Sequence, residues 1–494
     1  MKTSLVSQHF HLIVFLLSIS TAGFSQTLSG TVIDHETQET IAFANVLIGD
    51  SYGVITNDEG QFNIAVDRFT PNDSLVFSFL GYARKSVAIK DFTQQNIYLE
   101  PLADSLDEVY LIDKNLDPAT ILERVNNNLS KNHKEQFQKW TVFQRSKTSN
   151  DVKDLEFKIS KADFIDKKTL KELNLDLEMG SKQSKNDISN IYVDTYYDLY
   201  KNPENNVKLS IIKGTKLLNR ERNTSMENIQ SRAMTTIADK LNSSNSFKVR
   251  SGIIPIGDSI SLKTMFSGKN DSLDLKGKSE DITKILTRYG FGKDSDLSFI
   301  TDYKKYNYTI ANALSYNNEL VYVLQFEPAK SAADYSGEIY VSADSYAVLK
   351  VQYKLAEGKR GRKVNLKLLL GIKYEELGKE VMVIFNKNTD NIYVPKYVKT
   401  STREYTFFDR SLTFIENAPR KERMKLKLNI LSEAIVSKED EILIIDTQNI
   451  SESEFSAFQQ VEKSIIETIS KYNPEVWAKY NIISPNQAIK DFEN

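Results

Sequence analysis

Between residues 27 and 99 large apolar side chains recur at every second position in short runs. Phe62, Ile64 and Val66 alternate with Asn63 and Ala65, and Leu75, Phe77 and Phe79 do the same. A period of two places such residues on one face of a strand. The pattern predicts strands at 28–33, 41–48, 53–57, 61–66, 74–79, 85–89 and 96–99. The run at 41–48 is apolar on both faces, which suits a buried central strand. Turn chemistry separates the runs, as in Asp34-His35-Glu36-Thr37 and Pro71-Asn72-Asp73. Many short strands at this spacing predict an all-β sandwich.

The period changes after a linker at 101–116, which carries one apolar run at Val109–Ile112. Asp117-Pro118 reads as an N-cap followed by proline at the first helical position. Ile121, Leu122, Val125 and Leu129 then follow at helical spacing, with an end expected before His133. Strands are expected at 140–145, 155–165 and 191–199, a helix at 219–242, and a polar loop at 267–280. Otherwise residues 136–290 give no clear pattern. From 296 to 432 alternation returns in longer runs. Leu320, Tyr322, Leu324 and Phe326 share one face. So do Leu349, Val351, Tyr353 and Leu355, with Lys350, Gln352 and Lys354 opposite. Val364, Leu366, Leu368 and Leu370 form a third such set. This predicts an antiparallel meander with one wet and one apolar face. Ser451 and Glu454 suggest a capping box. Phe455, Phe458, Val461, Ile465 and Ile469 then predict a helix to about residue 470, and Asn473-Pro474 starts a last short helix carrying Trp477.

Three segments in the first hundred residues carry a resemblance. "SGTVIDHETQETIAFANVLI", "GVITNDEGQFNIAV" and "DSLVFSFLGYARKSVAI" resemble, in this order, the carboxypeptidase-regulatory-like β-sandwich of exported Bacteroidota proteins. The resemblance implies a transthyretin-like sandwich over 26–100 and an accessory rather than a catalytic module. "DYSGEIYVSADSYAVLKVQYKL" resembles strand pairs of the lipoprotein-carrier half-barrel, over about 120 residues. That resemblance implies a concave apolar face for acyl chains, lined here by Leu349, Val351, Leu366 and Leu368. The expected fold class is α+β and β-rich. An N-terminal sandwich is followed by a mixed domain, 117–494, with the meander at 296–432 and helices at 451–494.

The first 25 residues look like a leader. Lys2 precedes the apolar run Leu12–Ile19, and Gly23 and Ser25 are the small residues a signal peptidase accepts. Cleavage before Gln26 is expected, with export to the periplasm or the outer-membrane periphery. The run is too short to span a bilayer, and no later stretch is long enough. The chain has no cysteine, which excludes disulfides, thiolate chemistry and a lipidated N-terminus. A net charge of −2 argues against a nucleic-acid or a polybasic membrane role.

The sequence offers little catalytic chemistry. Beyond the leader only His35 and His133 remain, and neither opens a His-x-x-Glu motif. A zinc site wants about three protein ligands, so no metal or other cofactor is expected. No Gly-x-Ser-x-Gly is present; "GDSIS" at Gly257 fails at its last position. "SLDLKGKS", Ser272–Ser279, has Ser272 where a phosphate loop has its first glycine. "GKRGRK", Gly358–Lys363, suits a charged hairpin tip, or contact with phosphates or lipopolysaccharide. Asn57-Asp58-Glu59-Gly60 reads as a tight hairpin turn rather than a calcium loop, because apolar strand residues follow Gly60 almost at once. Three functions stay open: a non-catalytic envelope binding or scaffold protein with an unknown envelope partner, a lipid or lipoprotein carrier, and a carboxylate-based hydrolase.

Overall fold

The computed structural model describes residues 27–49, 51–93, 95–102, 117–185, 188–218, 233–241, 245–262, 272–317 and 319–492. The leader, most of the linker and the first part of the helix expected at 219–242 lie outside them; residues 233–239 are helical. The protein is β-rich α+β, as the patterning predicts.

Seven strands build the N-terminal sandwich: β1 (Thr27–Asp34), β2 (Asn45–Ile48), β3 (Tyr52–Ile55), β4 (Gln61–Ala65), β5 (Ser74–Ser78), β6 (Lys85–Ala88) and β7 (Asn96–Leu99). They form two sheets, β4-β1-β7 and β3-β2-β5-β6. Val32, Val46, Val54, Phe62, Ile64, Phe77 and Ile97 fill the space between them. The Asn57–Gly60 turn is tight, and Gly60 has φ +74°. It is not a hairpin turn, however, because β3 pairs with β2 while β4 pairs with β1. The turn carries the chain from one sheet to the other.

Helix α1 (Pro118–Asn132) begins where expected, with Asp117 accepting from the Ala119 N–H. Next come β8 (Gln138–Ala162), helix α2 (Lys167–Ser184), β9 (Ile188–Lys201), β10 (Val207–Leu218) and the hairpin β11 (Phe247–Ser251) and β12 (Ile254–Ile260). The segment read as a loop at 267–280 instead holds β13 (Ser272–Asp274) and the start of helix α3 (Leu275–Tyr289). A short α4 (Ser298–Thr301) leads into β14 (Tyr306–Tyr316), β15 (Glu319–Pro328), β16 (Tyr335–Ser342), β17 (Val348–Leu355) and β18 (Lys363–Leu366). After the helical turn α5 (Lys367–Leu370) come β19 (Ile372–Lys387), β20 (Tyr393–Glu416) and β21 (Lys425–Asn449).

All of these strands except β13, together with β23 (Glu467–Ile469), form one 14-stranded sheet, β14-β15-β16-β17-β19-β20-β21-β8-β9-β10-β23, with β11, β12 and β18 on side branches. The meander therefore reaches beyond 432, and β8 to β10 extend it from the other end. Strands β15 and β16 from one end, and β9 and β10 from the other, contribute to a single core. The sheet thus curls around α1, α3 and α4. Ile121, Leu122 and Val125 from α1, Ile282 and Tyr289 from α3, and Phe299 and Ile300 from α4 fill the inside.

Alternation in the central strands sends neighbouring residues to opposite cores. Val142, Tyr197, Val383, Val398 and Ile442 face the helices. Phe143, Tyr196, Ile384, Tyr397 and Leu443 face the sandwich. Burying both faces explains the continuous apolar runs Val381–Phe385 and Ile442–Ile445. A third cluster lies at the far end of β8, β20 and β21, beneath α2 and residues 233–241.

The C-terminal region departs from its pattern. The Ser451–Glu454 capping box is present, but α6 (Glu452–Ala457) is only 6 residues long. Beyond it the chain is extended, as β22 (Lys463–Ile465) and β23 (Glu467–Ile469), and β23 pairs in parallel with β10. Asn473 caps a 3-10 turn, Pro474–Trp477, and Trp477 is buried in the core shared by the sandwich and the sheet.

Candidate functional site

The sequence pointed first to the apolar inner face. Leu349 and Val351 do lie there, 5% and 0% exposed, but packed in the core that the helices fill. Leu366 and Leu368 do not join them. Strand β18 ends at Leu366, α5 follows at once, and the two side chains are 37% and 102% exposed. The four residues therefore do not form one lining. Around His133, Phe291 and Phe385, a pocket against the inner core has a volume of about 30 Å³.

The outer face is different, and its layout follows from strand register. One row across β19, β20, β21, β8 and β9 is Ile384, Tyr397, Leu443, Phe143 and Tyr196, covered by the sandwich and the C-terminal tail. Two residues along each strand the row becomes Met382, Lys399, Glu441, Arg145 and Asp194. Two further on it is Glu380, Ser401, Glu439, Lys147 and Tyr192. On β17, Gln352 and Lys354 extend these rows, on the face opposite Val351 and Tyr353 as their alternation predicts. The face is apolar under the sandwich and polar beyond it.

Beyond the sandwich edge, marked by Phe43, the polar rows line an open groove of about 650 Å³. A second hollow of about 550 Å³ continues it towards β8 and shares Lys354, Glu380 and Ser401 with the first. Acidic Glu338, Glu380 and Glu439 alternate there with basic Lys147, Lys354, Lys399, Arg403 and Lys438. Glu439 is held by Lys399 at 3.5 Å and by the Ser401 hydroxyl at 3.3 Å. Sequence reading missed these residues. Their signal is present in β19 and β20, where Glu380, Met382, Lys399 and Ser401 alternate with buried Val381, Val383 and Val398.

A buried polar knot closes the groove's inner end. Arg145 makes a bidentate pair with Asp194, Nε to Oδ1 at 3.0 Å and Nη2 to Oδ2 at 2.8 Å, and Nη1 donates to the Ile483 carbonyl. Burial opposes the Arg145 charge, but Asp194 outweighs it and holds the guanidinium protonated. Burial pushes the Glu441 carboxyl up, and the Tyr397 hydroxyl donates to it at 2.5 Å. The hollow here is about 30 Å³, so Glu441 has no room for a substrate. Asn57 and Asp58 line the same hollow. Asn57 donates to the Ser484 carbonyl, Asp58 accepts from Asn486, and Glu59 accepts from the Gln487 N–H. The turn is thus the dock of the C-terminal tail.

The remaining candidates are structural. His133 is half-buried; its Nδ1 lies 3.1 Å from the Tyr393 carbonyl and its Nε2 accepts from the Val348 N–H at 3.3 Å. Both nitrogens are occupied, and burial pushes its pKa down to about 3. His35 is an exposed turn residue beside Glu100. No group of His, Asp and Glu able to hold a metal occurs among the described residues. In "SLDLKGKS", Asp274 caps α3, and Lys278 points into the core, donating to Gln144 at 2.7 Å. Burial pulls the Lys278 pKa down to about 8. The Arg360 and Arg362 side chains of "GKRGRK" fold onto Glu375 and Glu376.

Residues 28–111 match the family of CarboxypepD_reg-like domains, which agrees with the sandwich. That is a minor part of the chain. No curated protein matches it. Among solved structures, lipovitellin, described for its lipid–protein interactions, is similar at 6% identity and a TM-score of 0.22, over 66% of this chain. This chain spans about a quarter of lipovitellin's length, 26%. A LolA-superfamily protein from Nitrosomonas europaea is similar at 11% identity and a TM-score of 0.18, over 69% of this chain and 97% of that one. Likenesses at these scores do not bear on function.

Proposed function

We propose that the protein is a non-catalytic binding or scaffold protein of the cell envelope, holding an extended polar segment of a partner in the outer groove. The continuous groove carries this reading. It is open and of mixed charge, and it is built on rigid strands, where binding residues are held in place. Mixed charges favour partner choice over raw affinity. Export to the periplasm or the outer-membrane periphery is part of the proposal, supported by the Lys2, Leu12–Ile19 and Gly23–Ser25 pattern. No helix among the described residues is long and apolar enough to cross a membrane.

The other readings have less support. A lipid carrier would have to expel α1, α3 and α4 from the curled sheet to admit an acyl chain. A carboxylate hydrolase wants two carboxylates about 5–10 Å apart across a substrate. Glu380 and Glu439 flank Ser401 on one face of the sheet rather than facing across a cleft, and Glu439 is already tied to Lys399 and Ser401.

A photo-crosslinking residue placed at Ser401 tests the proposal in intact cells. A discrete adduct with one partner is expected at Ser401, and none at exposed Ile212 on β10. Adducts at neither position, or equally at both, would overturn it.

A further inference from the structure

A second surface lies apart from the groove. Every residue from Arg362 to Leu369 is exposed. Leu368 is 102% and Leu369 80% exposed, with Val364 and Leu366 beside them. The β11–β12 hairpin carries Ile253 at 95% and Ile256 at 56% exposure. A single strand brings the two segments together. Ile372, just after α5, pairs with Phe408 of β20, and Ser251, at the hairpin tip, pairs with Leu412 of the same strand. Between them the Asp409 N–H donates to the Gly371 carbonyl, and Arg410 holds Ser251 through its hydroxyl and its carbonyl, each at 2.6 Å. The two apolar tips therefore sit side by side on one edge of β20.

Glycines shape both tips. Gly252 has φ +61° and begins a two-residue hairpin loop. Gly371 has φ +60°, and a Cβ there would lie 2.1 Å from the Asp409 carbonyl oxygen. The leucines and isoleucines are thus held outward by the backbone. From Tyr397, under the sandwich, to Leu412 is roughly 50 Å along β20 at about 3.3 Å per residue. The patch is remote from the sandwich.

Positive charge is in excess around the patch, although exposed Asp258 on β12 and Asp409 between the two tips lie beside it. Residues 358–376 hold six Lys or Arg against Glu375 and Glu376 only, and residues 247–256 add Lys248 and Arg250 with no acid. The two glutamates are already paired with Arg360, Arg362, Lys363 and Lys373. Exposed leucine and isoleucine ringed by excess lysine and arginine is the composition of a surface that enters the headgroup region of an anionic bilayer. A protein partner of ordinary surface would not call for a rim with this excess of positive charge.

We propose that the α5 turn and the β11–β12 hairpin together dock on an anionic phospholipid surface, with Leu368, Leu369, Ile253 and Ile256 inserted and the basic rim on the phosphates. The reading is independent of the groove and stands or falls separately from it.

Flotation of the purified protein with two kinds of vesicle tests it: phosphatidylglycerol with phosphatidylethanolamine, and phosphatidylcholine alone. Binding to the anionic vesicles is expected, weaker by about tenfold on phosphatidylcholine and in high salt. The L368S/L369S and I253S/I256S variants should each lose about tenfold or more. Ile212→Ser, on β10, should bind like the parent. All these side chains are solvent-exposed, so the thermal midpoints should stay unchanged and folding does not confound the result. No binding to anionic vesicles, or unaltered binding by both double variants, would overturn the proposal. So would a self-associating protein that binds no vesicles and becomes monomeric in L368S/L369S, which would make the patch a contact between copies.

Discussion

Three residues show how local chemistry fixes the molecule, and each yields an expectation. The Arg145–Asp194 pair is buried, and removing one partner strands the other's charge. Arg145→Ala should cost about 3–5 kcal/mol in denaturant unfolding, well beyond an exposed pair such as Lys182–Glu178. His133 is held neutral, with burial lowering its pKa to about 3. The unfolded chain binds that proton near pH 6.5, so the unfolded state takes up more protons between 6.5 and 3. Stability from His133 is complete above pH 6.5 and is lost as pH falls towards 3. Unfolding midpoints across that range should fall less steeply in His133→Gln than in the parent. Gly60 has φ +74°, and a Cβ would lie 2.8 Å from that of Thr40. Gly60→Ala should therefore destabilise by more than about 1 kcal/mol, and calorimetry reads that loss directly. The residue types at Asn57–Gly60 were legible as a tight turn. Their role in docking the tail was not, because Asn486 and Gln487 lie more than 400 positions away.

At the scale of elements, strong local patterns survived and weak ones yielded to tertiary pairing. The seven sandwich strands and α1 were legible because period, caps and turns agreed. The C-terminal stripe from Phe455 to Ile469 has helical spacing, yet Val461 and Ile465 are 62% and 85% exposed. The chain there runs along β10 instead. Lys208 donates to the carbonyls of Phe455 and Phe458, and Ile466 occupies the space left by the missing side chain of Gly214. An open sheet edge won over helix propensity. Strand β8 hides in the same way: Ser146–Asp154 is turn-like in composition but paired on one side with β21 and on the other, as far as Asp151, with β9. The tail that follows joins two bodies. Trp477, Ile482 and Ile483 bury between sandwich and sheet, and Asn481 accepts from the Ala65 N–H at 2.6 Å. Trp477→Ala should lower stability by about 3–5 kcal/mol. In that variant proteolysis should release the sandwich faster than from the parent.

At the scale of the whole molecule, the sheet has a filled inside and an open outside. The alternation of β15 and β17 was legible as antiparallel strands with an apolar face, and so was the wet face with Gln352 and Lys354. What covers the apolar face was not, since α3 begins in a stretch that reads as polar loop. Leu366 and Leu368 misled because a helical turn breaks the alternation after Leu366. The sandwich is fixed to the sheet by Lys396, whose ammonium donates to the carbonyls of Ser51, Gly53 and Ile445. Burial pulls its pKa down to about 7. The unfolded lysine keeps its proton to about pH 10.4. The strain of charging it is full below pH 7 and relieved as pH rises from 7 to about 10.4. A filled inside leaves the outer groove as the place for a partner. The most direct measurement is mass spectrometry of protein purified from the envelope without detergent, passed over a sizing column and extracted with solvent. The bare chain mass and no retained lipid are expected. A stoichiometric lipid that stays bound through the column would contradict it, because the exposed patch meets a bilayer surface and does not enclose a single lipid, which leaves an opened inner face to hold it.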